Sequence, residues 1–80
     1  MKRNRGLTVE NVMDCLNCTR GYVYTLVRRK ELLPVRDTTP IRIEVYSVIN
    51  KVRRLYPFII DKCITSLHDR LIELEYKNAA

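Results

Sequence analysis

The feature that most restricts the fold of this chain is a pair of short helical patterns between Thr8 and Lys30. Thr8 is a favourable residue to begin a helix, because its hydroxyl can accept a hydrogen bond from the first helical turn. Apolar residues then recur at helical spacing: Val9, Val12, Met13 and Leu16. Asn17 and Cys18 interrupt this pattern, and Thr19 can begin a second helix. Two short helices joined by so few residues predict a helix-turn-helix.

The second predicted helix, residues 20–29, separates apolar from basic side chains. Its apolar face contains Val23, Leu26 and Val27. The remaining cationic, hydroxyl and aromatic side chains are predicted to bind DNA: Arg20, Tyr22, Tyr24, Thr25, Arg28 and Arg29. A basic outer face on the second helix of a helix-turn-helix is typical of a helix that lies in the major groove. We therefore predict a protein that binds double-stranded DNA in a sequence-specific way.

The distribution of charge supports this prediction. The net charge is +6, and residues 1–54 carry twelve Lys and Arg against five Asp and Glu, whereas residues 55–80 carry three against four. A cationic part is thus followed by a nearly neutral one. Residues 1–6 are predicted to form a basic arm, in which Lys2, Arg3 and Arg5 follow the DNA backbone or enter a minor groove. A disordered, solubilising tail is the alternative.

Residues 32–43 are predicted to form a small β-hairpin. Pro34 excludes a helix, residues 37–40 favour a turn, and residues 41–43 alternate apolar, basic, apolar as a half-exposed strand does. A hairpin that follows a helix-turn-helix is a wing. We predict that Arg36, Thr38 and Arg42 contact the phosphate backbone or a minor groove.

Two further helices are predicted after the wing. Residues 44–55 place apolar residues on one face, with Lys51, Arg53 and Arg54 on the solvent side, and Tyr56-Pro57 ends this helix. It completes a winged helix-turn-helix domain over residues 7–55. The last helix is predicted to begin at Pro57 and to reach about residue 77.

The last helix carries a heptad seam. Apolar residues follow each other at steps of four and three: Ile60, Ile64, Leu67, Leu71 and Leu74. Such a seam favours burial against another helix, and residues 7–54 already look like a complete unit. We therefore predict that residues 57–78 form an amphipathic dimerisation helix and that the protein is a homodimer. The alternative is that this helix packs over the thin core of its own chain.

The residues of the helix-turn-helix resemble the excisionase and MerR-like winged helix-turn-helix domains. As in that family, a hydroxyl residue (Thr19) opens the second helix, a Val-Tyr pair (residues 23–24) lies within it, and Lys30-Glu31-Leu32 leads into the wing. The resemblance covers residues 7–52. It implies a mainly α fold with a β-hairpin wing, in which four residues of the second helix face the major groove and two contact DNA from the wing: Arg20, Tyr24, Thr25, Arg28, Arg36 and Arg42. Two features depart from the family. The family usually has a Gly near the position of Asn17, and its wing turn contains more Gly than residues 37–40 do.

The biological role that the resemblance implies is that of an excisionase-like recombination directionality factor or a small transcriptional repressor of a mobile element. A phage packaging or plasmid partition adaptor is a related alternative. An alternative of another class is a protein–protein interaction module that acts through the C-terminal helix.

Enzymatic and metal chemistry are not favoured by the pattern of reactive residues. Cys15 and Cys18 form a C-x-x-C, but Cys63 and His68 are five apart on a helix and therefore do not easily converge on one metal ion. We predict that the C-x-x-C packs in the core, that the chain is not an enzyme, and that it uses no metal, cofactor or small-molecule effector. The odd number of cysteines and the lack of a signal-peptide pattern or membrane span predict a cytoplasmic, nucleoid-associated protein.

Overall fold

The computed structural model describes residues 6–79, and within that range the chain forms four helices. They are α1 (Val9–Leu16), α2 (Arg20–Arg28), α3 (Val45–Leu55) and α4 (Asp61–Ala79). The predicted mainly helical class is therefore confirmed. Among the described residues, none of the helices is both long enough and apolar enough to cross a membrane. The predicted basic residues Lys2, Arg3 and Arg5 lie outside this range.

The first two helices begin at the predicted threonines. The Thr8 hydroxyl accepts a hydrogen bond from the N–H of Asn11 at 3.0 Å, and the Asn11 side chain accepts one from the N–H of Thr8 at 3.1 Å. This reciprocal pair satisfies two N–H groups that the helix itself leaves free. Asn17 ends α1 in the left-handed conformation, with φ 52°, as asparagine can. The Thr19 hydroxyl then caps α2 by accepting from the N–H of Tyr22 at 3.2 Å.

A single cluster of buried apolar side chains joins all four helices. Its most deeply buried members come from α1, α2, α3, the segment between α2 and α3, and the residues just before α1: Leu7, Val12, Val23, Leu26, Leu32, Ile43 and Val48. In this cluster α1 packs against α2 and α3 packs against α4. The buried face of α2 leaves its opposite face in solvent, which positions the candidate site.

The hairpin predicted over residues 32–43 is not confirmed, because the described residues contain isolated antiparallel bridges and no strand. Two hydrogen bonds still close the segment, from the N–H of Val35 to the carbonyl of Arg42 at 2.8 Å and from the N–H of Glu44 to the carbonyl of Leu33 at 2.9 Å. Inside this loop the Thr38 hydroxyl donates to the Val35 carbonyl and accepts from the N–H of Arg42. A side chain thus replaces the next backbone pairs of a ladder, and Pro40 has no N–H to donate. We call residues 33–44 the closed loop.

The second helical pair contains a correction to the predicted solvent face of α3. Lys51 was predicted to face solvent with Arg53 and Arg54, but its side chain is buried, with only 8% of the residue exposed. Its Nζ lies 2.6 Å from Oε1 of Glu31, the residue that follows α2 by three positions. The hydrogen bond to Lys51 lowers the pKa of the Glu31 carboxyl. This ion pair ties the end of the α2 region to α3.

The last helix begins later than predicted and its seam has a different partner. Residues 57 and 58 form a turn, and α4 begins at Asp61 rather than Pro57. Ile64 is 5% exposed and Leu71 is 2% exposed, and Leu67 and Leu74 are partly buried against the same core. The seam is therefore covered by its own chain, which corrects its assignment to a dimer interface. Ile60, the first residue of the predicted seam, precedes the helix and is 62% exposed. The homodimer itself stays a prediction.

The end of α4 binds the beginning of the described chain. The N–H of Gly6 donates to Oε2 of Glu75 at 2.8 Å, and Nδ2 of Asn78 donates to the Gly6 carbonyl at 3.2 Å and to Oδ1 of Asn11 at 3.0 Å. Gly6 has φ 92°, and a Cβ at this position would lie 2.7 Å from the carbonyl oxygen of Ile43. Only glycine both adopts this positive φ readily and avoids the clash between a Cβ and the Ile43 carbonyl. The hydrogen bonds with Glu75 and Asn78 hold the backbone at residue 6 in place.

Candidate nucleic-acid interface

The outward face of α2 is the candidate site. Val23 and Leu26 are buried on the inner side, so the middle of the outer face is formed by Gly21, Thr25 and Arg28, which are one turn apart along the helix. The Thr25 hydroxyl donates to the carbonyl of Gly21 at 3.0 Å and accepts from Nη2 of Arg28 at 3.3 Å. These bonds direct the Arg28 guanidinium along the outer face of the helix.

The other predicted residues of α2 flank this central line. Arg20 and Tyr24 lie on one edge, Tyr22 and Arg29 lie on the other, and all four are exposed. Thr25 is half-buried, and Arg28 is exposed. The structure therefore brings the six predicted α2 residues to one surface, which carries three guanidinium groups and two phenol rings.

Gly21 is in the centre of this surface without a structural need for glycine. Its backbone is helical, and a Cβ at this position would have no neighbour within 4 Å. Glycine inside a helix is less stable than alanine by about 1 kcal/mol. The missing side chain leaves the backbone of the first α2 turn open to close approach by a ligand.

Arg20 is not a free cation. Its Nη2 forms an ion pair with Oε1 of Glu10, the residue after the first of α1. The hydrogen bond from Arg20 lowers the pKa of the Glu10 carboxyl, and the same bond, followed by the negative charge of Glu10, raises the pKa of the guanidinium. Sequence reasoning missed Glu10, because a contact between two helices leaves no periodic signal. The sequence indicates this ion pair only by placing opposite charges, Glu10 and Arg20, in the first turns of two consecutive helices.

The closed loop carries the two predicted arginines of the wing. Arg36 is exposed, whereas Arg42 is half-buried and its Nη1 is enclosed without a hydrogen bond to any described residue. Thr38 was predicted to contact DNA, but both hydrogen bonds of its hydroxyl are made within the loop. The Thr38 hydroxyl thus shapes the loop, and its contact with DNA stays a prediction. Gly6 packs against Val35 and Arg42, so the predicted basic arm begins next to the closed loop.

The cysteines and His68 do not form a competing site. Cys15 and Cys18 are partly buried against the core, and this burial raises the pKa of both thiols, which disfavours the reactive thiolate. Cys63 is exposed on α4, and the ring of His68 packs against Tyr46 with 5.5 Å between ring centres. Across residues 6–79, no three His, Cys, Asp or Glu side chains are grouped to hold a metal ion.

A second exposed surface lies where α3 turns into α4. Four large apolar side chains point into solvent there, with Phe58 95% exposed: Leu55, Tyr56, Phe58 and Ile60. Leu55, Tyr56 and Phe58 line a shallow, apolar groove of about 450 Å³ together with Pro57 and Ile59. We call residues 55–60 the apolar corner. Sequence reasoning missed it, because Ile60 was assigned to the helix and Phe58 to its first turn.

Comparison with known proteins does not add a family, since no family model, no curated protein and no solved structure matches this chain. The resemblance to the excisionase and MerR-like domains thus depends on the residues of the sequence alone.

Proposed function

We propose that this chain is a sequence-specific double-stranded DNA-binding protein in which α2 lies in the major groove. The observation that supports this most directly is the outer face of α2. It presents Arg20, Arg28 and Arg29 together with two tyrosines around Gly21, a position where the fold does not require glycine. The buried inner face is sufficient to hold the helix in the core. The fold does not require arginines, tyrosines and a glycine on this outer face. A helix that contacts bases and approaches phosphates closely uses such residues.

The proposed complex divides its contacts between bases and phosphates. Arg28, at the middle of the α2 surface, can donate to O6 and N7 of a guanine, and such a contact is worth about 1–3 kcal/mol of discrimination. Arg29, Arg36 and the basic arm would neutralise phosphates. These contacts carry no sequence information, but they supply much of the affinity and make it depend on salt.

The closed loop would act as the wing in this proposal. It is compact, closed by backbone hydrogen bonds at residues 35 and 42, and braced by Thr38. Arg36 is its exposed cation, and the basic arm begins beside it at Gly6. A wing and an arm that leave from one place would follow the backbone or a minor groove next to the major groove that holds α2.

The biological role belongs to the same proposal. The resemblance favours an excisionase-like recombination directionality factor or a small transcriptional repressor of a mobile element, acting at the nucleoid. A packaging or partition adaptor would use the same surface.

Duplex binding tests this proposal. Fluorescence anisotropy with a labelled random-sequence duplex at low salt should show binding that weakens steeply as salt rises. The Arg20→Ala/Arg28→Ala double variant should bind this duplex more weakly, because it removes two cations from the α2 surface and leaves Glu10 without its partner there. The control double variant Lys62→Ala/Lys77→Ala removes two positive charges from exposed positions of α4 and should bind nearly as the wild type does. Absence of duplex binding by the wild type, or equal losses in the two double variants, would refute the proposed function.

The apolar corner favours a second candidate function, in which association between proteins is the main task. We propose a second copy of this chain as the occupant of the corner. Two aromatic side chains can each bury about 150–250 Å², so with Leu55 and Ile60 the corner offers on the order of 500 Å² per copy. A standard interface uses about 800 Å² per partner. The rim carries both signs of charge, at Arg54, Asp61 and Lys62, which allows reciprocal pairs across a two-fold axis. The expected dimer is therefore weak.

Sedimentation measures this association directly. The wild type should change from monomer to dimer at high micromolar concentration, and Phe58→Ser should stay monomeric while keeping the same helical circular dichroism. If the main function is protein association, Phe58→Ser abolishes it and the Arg20/Arg28 variant does not. A wild type that stays monomeric throughout would refute the dimer.

A further inference from the structure

The ion pair between Glu10 and Arg20 is the most unusual feature of the candidate site. Both side chains are largely exposed, 62% for Glu10 and 52% for Arg20, so burial does not force them together. The pair joins the first turn of α1 to the first turn of α2 at the edge of the proposed DNA surface. It brings a carboxylate, which repels phosphate, to a surface that is otherwise cationic.

The three arginines of α2 are consequently not equivalent. In the described part of the chain, Arg28 and Arg29 form no ion pair, so their full charge is available to a phosphate. Arg20 and Glu10 together are neutral, and Glu10 occupies one of the five N–H donors of the guanidinium. A phosphate at this position would meet the carboxylate, whereas the base acceptors O6 and N7 of guanine carry no formal charge.

From this geometry we propose that Glu10 is a positioning residue for specificity, which orients Arg20 toward a guanine edge and keeps phosphate away from it. The inference rests on the proposed DNA-binding function. Glu10 lowers the affinity for every duplex by its charge, and it lowers the affinity for wrong sequences most, because they supply no guanine to Arg20. The carboxylate acts here as arginine–carboxylate pairs do, by fixing a planar group in one orientation.

Five variants test the proposal after a binding sequence has been selected from a randomised duplex pool. The Kd of the selected duplex and of an unrelated duplex is measured as a function of salt. Glu10→Ala should bind the unrelated duplex more tightly, and its plot of log K against log salt should be steeper by about 0.9, the slope of one additional phosphate contact. The ratio of selected to unrelated affinity should fall by roughly 5- to 150-fold, the value of one guanine contact.

Glu10→Gln keeps the length of the side chain and removes its charge, so it should reproduce the steeper salt dependence even if alanine perturbs α1. Glu73→Gln makes the same charge change at an exposed position of α4 and should change neither quantity. In the background of Arg20→Ala, Glu10→Ala should no longer alter the affinity ratio, because Glu10 acts through Arg20. A purely structural role for Glu10 would not produce this dependence.

The two possible failures are distinct. If the wild type discriminates between duplexes but Glu10→Ala keeps the same ratio and the same salt slope, the role of Glu10 is refuted and the DNA-binding function stands. If the wild type binds no duplex, the function and the role of Glu10 are both refuted.

Discussion

Replacing Ile64 by Val removes one methylene group from the interior of the protein, and Ile60→Val makes the same chemical change one turn earlier in the chain. Ile64 is 5% exposed and lies in the core, whereas Ile60 is 62% exposed at the apolar corner. The two variants therefore differ in burial and not in chemistry. A comparison of their stabilities therefore tests whether the heptad seam of α4 is covered by its own chain.

The expected magnitudes follow from these exposures. A buried methylene is worth about 0.8 kcal/mol, and with the cavity left behind, Ile64→Val should destabilise the fold by about 0.5–1.5 kcal/mol. At Ile60 only about a third of that methylene is removed from water, so the cost is about 0.3 kcal/mol. For a domain of this size, 1 kcal/mol moves Tm by roughly 4–8 °C. We expect Tm to fall by about 2–12 °C for Ile64→Val and by about 1–2 °C for Ile60→Val.

Thermal unfolding followed by circular dichroism measures both shifts, at a low and at a high protein concentration. Since the seam is buried within one chain, the shift caused by Ile64→Val should be the same at both concentrations. A seam buried between copies would instead make the Tm shift caused by Ile64→Val grow with protein concentration. Equal shifts for the two variants, or an Ile64→Val shift that changes with concentration, would refute the burial of the seam within one chain.

Three further predictions concern single side chains. Thr8→Ala removes the reciprocal cap of α1 and should lower the free energy of unfolding in urea by about 0.5–2 kcal/mol; no change would mean that the cap contributes nothing. Gly21→Ala should stabilise the fold by up to about 1 kcal/mol, because its Cβ has free space, yet it should weaken duplex binding measured by anisotropy; unchanged binding would show that no ligand approaches this backbone closely. The pKa of Glu31 is lowered by Lys51, so its contribution to stability is present at neutral pH and is lost as pH falls below its unfolded value and through its folded value. Urea midpoints of the wild type and Glu31→Gln should therefore differ at pH 7 and converge at low pH, and a constant difference would contradict the ion pair.

The elements that the sequence predicts well are those fixed by neighbouring residues. The hydroxyls of Thr8 and Thr19 bond to N–H groups three positions away, so the starts of α1 and α2 can be read from the sequence. Asn17 could be expected to end α1, because asparagine tolerates the left-handed conformation that it adopts. The outer face of α2 follows from the same short-range periodicity, which is why its exposed arginines were identified.

The features that could not be predicted depend on residues far apart in the chain. Lys51 looked like a solvent residue, because its partner Glu31 is 20 positions away. The hydrogen bonds of the Thr38 hydroxyl could not be predicted either, since a pattern of residues does not reveal which backbone groups of a loop a side chain contacts. The heptad of α4 predicted burial against another helix, but a heptad does not specify whether that helix belongs to the same chain. In this protein, Ile64 and Leu71 are buried in the core of the same chain.

The hold of α4 on Gly6 also determines when during synthesis this protein can complete its fold. Glu75 and Asn78 contact a residue 69 and 72 positions earlier, so these bonds cannot form until residues 75–78 have left the ribosome. The segment with α1 and α2 is made first, but Ile64 and Leu71, which cover the shared core, arrive only with α4. A nascent chain that stops before α4 would leave apolar surface uncovered and prone to aggregation. The core shared by α1 and α2 is therefore completed only after α4 has been made.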